Sequence, residues 1–324
     1  MMIKENFVNY IETSIKRNWN VAAFSNYRQK TYTYSDVAAE IIKLHCFFEQ
    51  FGLKKGDKVA VIGKNSVNWA ITYLAIVSYG AVIVPLLADF PPRDIHHLIN
   101  HSDSTLLYVS DPIYKTIDSA EMKNLKGIFS LTDFSLQYEH KGSVSKALKK
   151  SEKLYEKRSK ELLSPEKFRL EPVSNDELLG IIYTSGTSGF SKGVMLSHNN
   201  IAANVRFALK SMNLEPGSPI LSFLPLAHAY GCAFDFLYPF ALGCHIVFLS
   251  KIPSPKIIVQ AFKEVQPRLI FSVPLILEKI YKKQIKPGLN KTSIKVLMKI
   301  PFLKNKVYKE VYNKLCSAFG GKFE

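Results

Sequence analysis

Apolar residues recur every three or four positions between Ile3 and Lys16 (Phe7, Tyr10, Ile11, Ile15), a helical rhythm. Alternating Tyr and Thr from Lys30 to Tyr34 then predict a short β segment. Ser35 is a good N-cap for a helix that buries Val37, Ile41, Leu44, Phe48 and Phe51, and Gly52 closes it. A buried strand follows at Val59 to Ile62, then a helix from Asn65 through Trp69, Tyr73 and Ile76 to Gly80, and a strand at Val82 to Pro85. Pro91 and Pro92 open another helix with Ile95, Leu98 and Ile99, and Leu106 to Val109 returns to strand. Such alternation of short apolar runs with helical stretches predicts an α/β fold, with mostly parallel strands flanked by helices.

From Glu139 to Arg169 the pattern gives way to dense Lys, Ser and Glu, which reads as a solvated helix and linker. The expected division is therefore 1–172, an N-terminal α/β subdomain ending in a basic linker, and 173–324, a second α/β subdomain. That second part opens on the apolar run Leu178, Leu179, Ile181 and Ile182, and Val194, Met195 and Leu196 form another such run. Between them lies Tyr183-Thr184-Ser185-Gly186-Thr187-Ser188-Gly189-Phe190-Ser191-Lys192-Gly193. Its glycines allow successive N–H groups to turn into one concavity, and five hydroxyls (Thr184, Ser185, Thr187, Ser188, Ser191) and the Lys192 ammonium add donors. That many donors together suit a polyanion. The Walker loop is excluded, because Lys192 is followed by Gly193 and an apolar triplet, and a helix can start only after Ser197-His198-Asn199-Asn200.

Further on, a helix carries Ile201, Val205, Phe207, Ala208 and Met212, and a strand at Ile220 to Phe223 leads into Leu224-Pro225-Leu226-Ala227-His228-Ala229-Tyr230-Gly231. A His beside Pro and Gly after a strand is placed where α/β folds make ligand contacts, although a lone His is more often structural. Cys232 to Leu249, interrupted by Asp235, Pro239, Gly243 and His245, reads as helix then strand rather than a membrane span. Pro255 to Val265 and Leu269 to Ser272 read as a helix-strand pair. The lysine-rich remainder keeps an apolar face (Ile294, Leu297, Met298, Ile300, Phe302, Leu303, Val307, Val311, Leu315), which fits a packed bundle face better than peripheral contact with an anionic membrane.

Composition narrows the class without choosing the chemistry. At 324 residues, 47% apolar and 22% charged, the chain is globular and long enough for more than one core. Met1 to Asn20 carries Lys4, Glu5, Glu12, Lys16 and Arg17 and no long apolar core, so a cytoplasmic product is expected. Cys46, Cys232, Cys244 and Cys316 lack zinc spacing and read as buried or idle thiols. A formal charge of +16 suits any anionic partner. No nucleic-acid partner is expected, since Glu152, Glu156, Glu161 and Glu166 interleave with the lysines of the polar run.

The stretch YTSGTSGFSKGVMLSH resembles the phosphate-loop motif of adenylate-forming enzymes, the acyl-CoA synthetase, luciferase and peptide-synthetase adenylation superfamily, usually written YTSGTTGxPKGV. Ser188 stands for a threonine and Ser191 for a proline, and neither change removes a donor. LPLAHAYG is similar to the family's second motif at the mouth of the acyl pocket, VPLILEKI to its VPxxxEKI segment, and Thr31 to Asp111 to its N-terminal subdomain. The resemblance implies stacked βαβ-type subdomains and the ATP-dependent activation of a fatty acid, long-chain by expectation, to an acyl-adenylate and then to acyl-CoA. It implies ATP, Mg²⁺ and coenzyme A as cofactors. Thr184, Ser185, Gly186, Thr187, Ser188, Gly189 and Lys192 would hold the phosphates, with Lys192 and Thr184 catalytic and Thr184 also touching the metal. Phe223, Ala227, His228 and Tyr230 would meet the acid. Asp235 invites comparison with the amine-binding aspartate of amino-acid-activating members, but the equivalent place falls near Tyr230. The family's adenine motif, metal-binding glutamate and lid lysine have no counterpart up to Glu324, so the chain is expected to be the front part of a longer enzyme. An enzyme delivering to a carrier protein, or a non-catalytic nucleotide- or membrane-binding module, are the alternatives.

Overall fold

The computed structural model describes residues 6–184, 192–250, 254–289, 308–309, 312–313 and 316–322. Helix α1 (Phe7–Arg17) is capped by the Asn6 side chain, which accepts from the Val8 and Asn9 amides. Strands β1 (Ala22–Asn26) and β2 (Thr31–Thr33) form a hairpin that leads into α2 (Tyr34–Phe51). The cap of α2 is Thr33 rather than Ser35: its hydroxyl takes the Asp36 amide while the Asp36 carboxylate takes the Thr33 amide, a reciprocal capping box. Gly52, at φ 79°, ends the helix in the left-handed conformation that only glycine adopts without cost.

Strand β3 (Lys58–Ile62), α3 (Val67–Tyr79), β4 (Val82–Leu86), α4 (Pro92–His101) and β5 (Leu106–Val109) follow in the expected order. The short α5 (Asp111–Tyr114) leads to β6 (Gly127–Ser130), β7 (Leu136–Glu139) and α6 (Ser143–Leu162). Next come β8 (Leu178–Thr184), β9 (Lys192–Ser197), α7 (His198–Ser211) and β10 (Pro219–Ser222). A π-helical turn at Gly231–Leu237 runs into α8 (Tyr238–Leu242), then β11 (His245–Phe248), α9 (Pro255–Val265), α10 (Pro274–Ile280), a second π-helical turn and α11 (Lys286–Leu289).

The strands make two sheets. One has seven strands in the order β7-β6-β5-β3-β4-β8-β9, parallel from β6 to β8 and antiparallel at both edges. The other has the order β10-β11-β1-β2, with β10, β11 and β1 parallel. Both draw strands from either side of residue 172. The central strands β4 and β5 are buried along their whole length, as a sheet covered on both faces requires. On one face lie α2, α3 and α6, with a core that includes Phe48, Trp69, Tyr108 and Phe129. On the other lies α4, with Ile95, Leu98 and Ile99 against Ala60, Val84 and Val109.

The structure adds to or corrects the sequence reading in three places. Strand β1 was not anticipated at all; its Phe24 packs among Phe236, Phe240 and Phe248, so its pairing partner β11 lies more than two hundred residues away. The charged run holds the expected helix, α6, largely solvated but docked along one side: Val144, Ala147 and Ser151 are buried against the body, and Arg158 meets Glu49 of α2 at 2.7 Å. Leu269 to Ser272 forms no strand; beside β10 there is one backbone bond, from the Arg268 N–H to the Pro219 carbonyl. Most of the basic stretch from Ile294 to Leu315 lies outside the described residues. Among the described residues no helix is long and apolar enough to cross a membrane.

Candidate functional site

The glycine-rich stretch spans the open end of the β8–β9 hairpin, at the carboxyl end of β8. Thr184 and Lys192 are cross-strand partners that close the ladder, and both are exposed. Ser185, Gly186, Thr187, Ser188 and Gly189 fall between them, outside the described residues. Two glycines let the hairpin reach this position. A Cβ on Gly180 would sit 2.8 Å from Ile83 Cγ2 and 3.0 Å from the Ile83 carbonyl oxygen, so only glycine lets β8 lie against β4. A Cβ on Gly193 would meet Ile181 and the ring of its cross-strand partner Tyr183. The Tyr183 hydroxyl is hydrogen-bonded to His101 Nδ1 at 2.7 Å, which anchors the hairpin to the end of α4. Ser197 and Asn200 then form a capping box that starts α7 at His198, immediately after β9 and inside the quartet of capping residues rather than after it.

The second motif leaves β10 as a loop held from two sides. Asn65, in the turn after β3, donates through Nδ2 to the Leu224 carbonyl at 2.7 Å and accepts the Leu226 amide at 3.2 Å. Asp235, in the π-helical turn, accepts the Phe223 and Leu224 amides at 3.0 and 3.1 Å. Asp235 is fully buried, and burial pushes its carboxyl up to about 7 against the pull of those two amides. Oδ2 takes both amides while Oδ1 is buried without a partner, so it is burial that keeps the carboxyl from a substrate amine. Gly231 is obligatory here as well, because a Cβ would lie 2.6 Å from the Pro225 carbonyl oxygen.

This clamp fixes what the motif presents. Ala227 is buried, whereas His228 and Tyr230 point outward, and Tyr230 packs on Phe234, which in turn meets Phe271. Phe223 is turned inward, edge-on to Phe262 at 5.7 Å, and belongs to the core behind the smaller sheet. Asn65 was legible only as the start of a helix. The signal for its role is its place in the turn at the carboxyl end of a buried parallel strand, where such folds put their working side chains.

A family model described as AMP-binding enzyme matches residues 11–322. The chain belongs to the AMP-binding enzyme family. Human long-chain-fatty-acid–CoA ligase ACSBG2 is 28% identical over 273 residues, which are 82% of this chain and 38% of that protein. The chloroplastic long-chain-fatty-acid acyl-carrier-protein ligase AEE15 of Arabidopsis thaliana is 27% identical over 257 residues, 77% of this chain and 35% of that protein. The chain thus spans less than two fifths of the length of these relatives. The N-terminal domain of FACL13 from Mycobacterium tuberculosis superposes with a TM-score of 0.70 at 17% identity, over 90% of this chain and 68% of that one, a likeness of fold.

Proposed function

We propose that this chain supplies the triphosphate grip and the acyl-pocket mouth of an enzyme that activates a long-chain carboxylic acid with ATP. The carboxylate would attack the α-phosphorus, pyrophosphate would leave, and the acyl-adenylate would pass its acyl group to the thiol of coenzyme A. The observation that carries this reading is the hairpin that pairs the exposed Thr184 and Lys192 at the two ends of a hydroxyl-rich stretch of sequence. A carboxylate is a weak nucleophile that must approach a polyanion, so positioning and charge neutralisation provide most of the acceleration. Lys192 would neutralise the departing phosphates, and the loop from Thr184 to Gly189 would hold them by hydroxyl and amide donors.

No cluster of three His, Cys, Asp or Glu side chains able to hold a metal occurs among the described residues. The exposed hydroxyl of Thr184 fits Mg²⁺, which takes few protein oxygens and fills its remaining positions with phosphate and water. When bound, the ion would neutralise phosphate charge. Ala227, His228 and Tyr230, fixed by the Asn65 and Asp235 clamp, would border the acid's path. Delivery to a carrier protein is the second reading, supported by the Arabidopsis relative whose name carries that acceptor.

Palmitate-dependent ATP–pyrophosphate exchange in the full-length protein tests the first step. Removing one preorganised donor typically costs about 3 kcal/mol, so Lys192→Ala is expected to lower exchange by roughly a hundredfold. Exchange at the parental rate in that variant overturns the assignment. Labelled acyl groups appearing on coenzyme A or on a carrier-protein pantetheine distinguish the two acceptors.

A further inference from the structure

A cavity of about 500 Å³ opens between α2 and α6, on the face of the large sheet away from α4. That volume lies in the range of small-molecule sites, roughly 300–1,000 Å³. Tyr108 of β5 lines it, stacked on Phe129 at 5.0 Å with Phe134 edge-on at 6.2 Å, and Leu44 and Leu148 complete an apolar floor. Tyr108 is 1% exposed, yet its hydroxyl has no hydrogen-bond partner. A buried hydroxyl left unmatched is costly, and an acceptor arriving from the cavity would satisfy it.

The wall beside it is strained. Phe134 has φ +63°, a left-handed conformation that an aromatic residue rarely adopts, and the Phe134 amide bond to the Ser130 carbonyl holds it there. The strained turn is what brings the Phe134 ring over Tyr108. The residues that line the cavity include Glu40, Asp133, Glu152 and Glu156 and one cation, Lys43, with Lys149, Lys153 and Lys157 beside them on α6. None of these four carboxylates belongs to an ion pair among the described residues, although neighbouring acids on the same two helices do: Glu49 with Arg158, and Glu161 with Lys157.

We propose that this cavity binds an amphipathic organic cation, an aryl-alkyl ammonium whose apolar end carries a hydrogen-bond acceptor. The ring lies in the cavity against the Tyr108, Phe129 and Phe134 cluster, the acceptor takes the Tyr108 hydroxyl, and the ammonium remains at the acidic rim. The site is separate from the phosphate hairpin, since β3 and β4 lie between β5 and β8 and Tyr183 sits in the core on the opposite face. It therefore stands whether or not the chain takes part in adenylation.

Calorimetric titration with 5-methoxytryptamine, alongside its anionic counterpart 5-methoxyindole-3-acetate, tests it. The amine is expected to bind saturably at one site, and about tenfold more weakly when salt rises from 0.05 to 0.5 M. Tyr108→Phe, which keeps the core ring, should weaken binding roughly fivefold while the unfolding temperature holds or rises. The double variant Glu152→Gln with Glu156→Gln should weaken it roughly tenfold, and both positions are exposed, so folding is unaffected. Absence of saturable heat with the amine up to about 5 mM, equal binding of the anion, or amine binding unchanged in both variants overturns the proposal.

Discussion

Two buried ionisable side chains near the site respond to pH with opposite sign. The Asp235 carboxyl is held up to about 7 from 3.8, so between those values the folded chain binds the proton that the unfolded chain has lost. Its contribution to stability is therefore full below the lower value and falls as pH rises through the upper one. Asp235→Asn keeps an oxygen for the Phe223 and Leu224 amides and cannot ionise. Denaturant unfolding from pH 4 to 8 is expected to show the variant gaining on the parent steadily up to about pH 7 and then running level. A stability difference independent of pH would mean that the carboxyl does not titrate in this range. His198 behaves in the reverse way. It is fully buried, both ring nitrogens lack partners, and burial lowers it from 6.5 to about 4. The unfolded chain takes up that proton first, so this stability is full above the higher value and lost as pH falls towards the lower. His198→Leu sacrifices no hydrogen bond, and the variant should resist acid better than the parent between pH 6.5 and 4, read by the same titration.

Glycine contacts separate elements that can yield from elements that cannot. At Gly231 the obstacle to a side chain is backbone, the Pro225 carbonyl oxygen; at Gly193 the nearest atom is a methyl of Ile181, followed by the Tyr183 ring. Gly231→Ala is expected to destabilise by about 2–3 kcal/mol and Gly193→Ala by about 1–2 kcal/mol, since Ile181 is stiff at χ1 but the exposed edge strand β9 can shift, whereas the Pro225 backbone cannot. Urea midpoints order the two, and a larger loss at Gly193 would contradict the packing argument. The same distinction explains what could be read from the sequence. Capping and closing residues act locally, so Gly52 and Gly80 marked helix ends that the structure keeps. Strand β1 was illegible because Ala22-Ala23-Phe24-Ser25-Asn26 has no β-branched residue, and its extended form is imposed by β11 and by a 3.0 Å contact between Ser25 Oγ and His245 Nε2. Helix α6 looked solvated because so few of its residues meet the core, and only their spacing, Val144, Ala147 and Ser151, marks the inward face. In the second motif, Phe223 and Tyr230 read alike as contacts to the acid, and the inward turn of Phe223 depends on Asn65 and Asp235, which the chain brings together from distant positions.

Shared sheets make the two halves of the chain depend on each other. The four-stranded sheet joins residues 22–33 to residues 219–248, and the seven-stranded sheet joins 58–139 to 178–197, so neither can close with strands from one side of residue 172 alone. The crossing segment is itself docked: Phe168 is buried beneath Trp19, the Leu170 amide donates to Glu12, and Lys55 donates to the Pro172 carbonyl. Because each sheet would lose an interior partner if the other part unfolded, loss of structure should be concerted. Tryptophan fluorescence samples Trp69 in the core and Trp19 at the crossing, while circular dichroism samples the whole backbone. The two are expected to give coincident urea transitions, and a chain nicked by trypsin at the exposed Lys167 or Arg169 should elute as one particle under native conditions. Separated transitions, or nicked pieces that part without denaturant, would show that each half closes its core alone and that strand exchange between them contributes little.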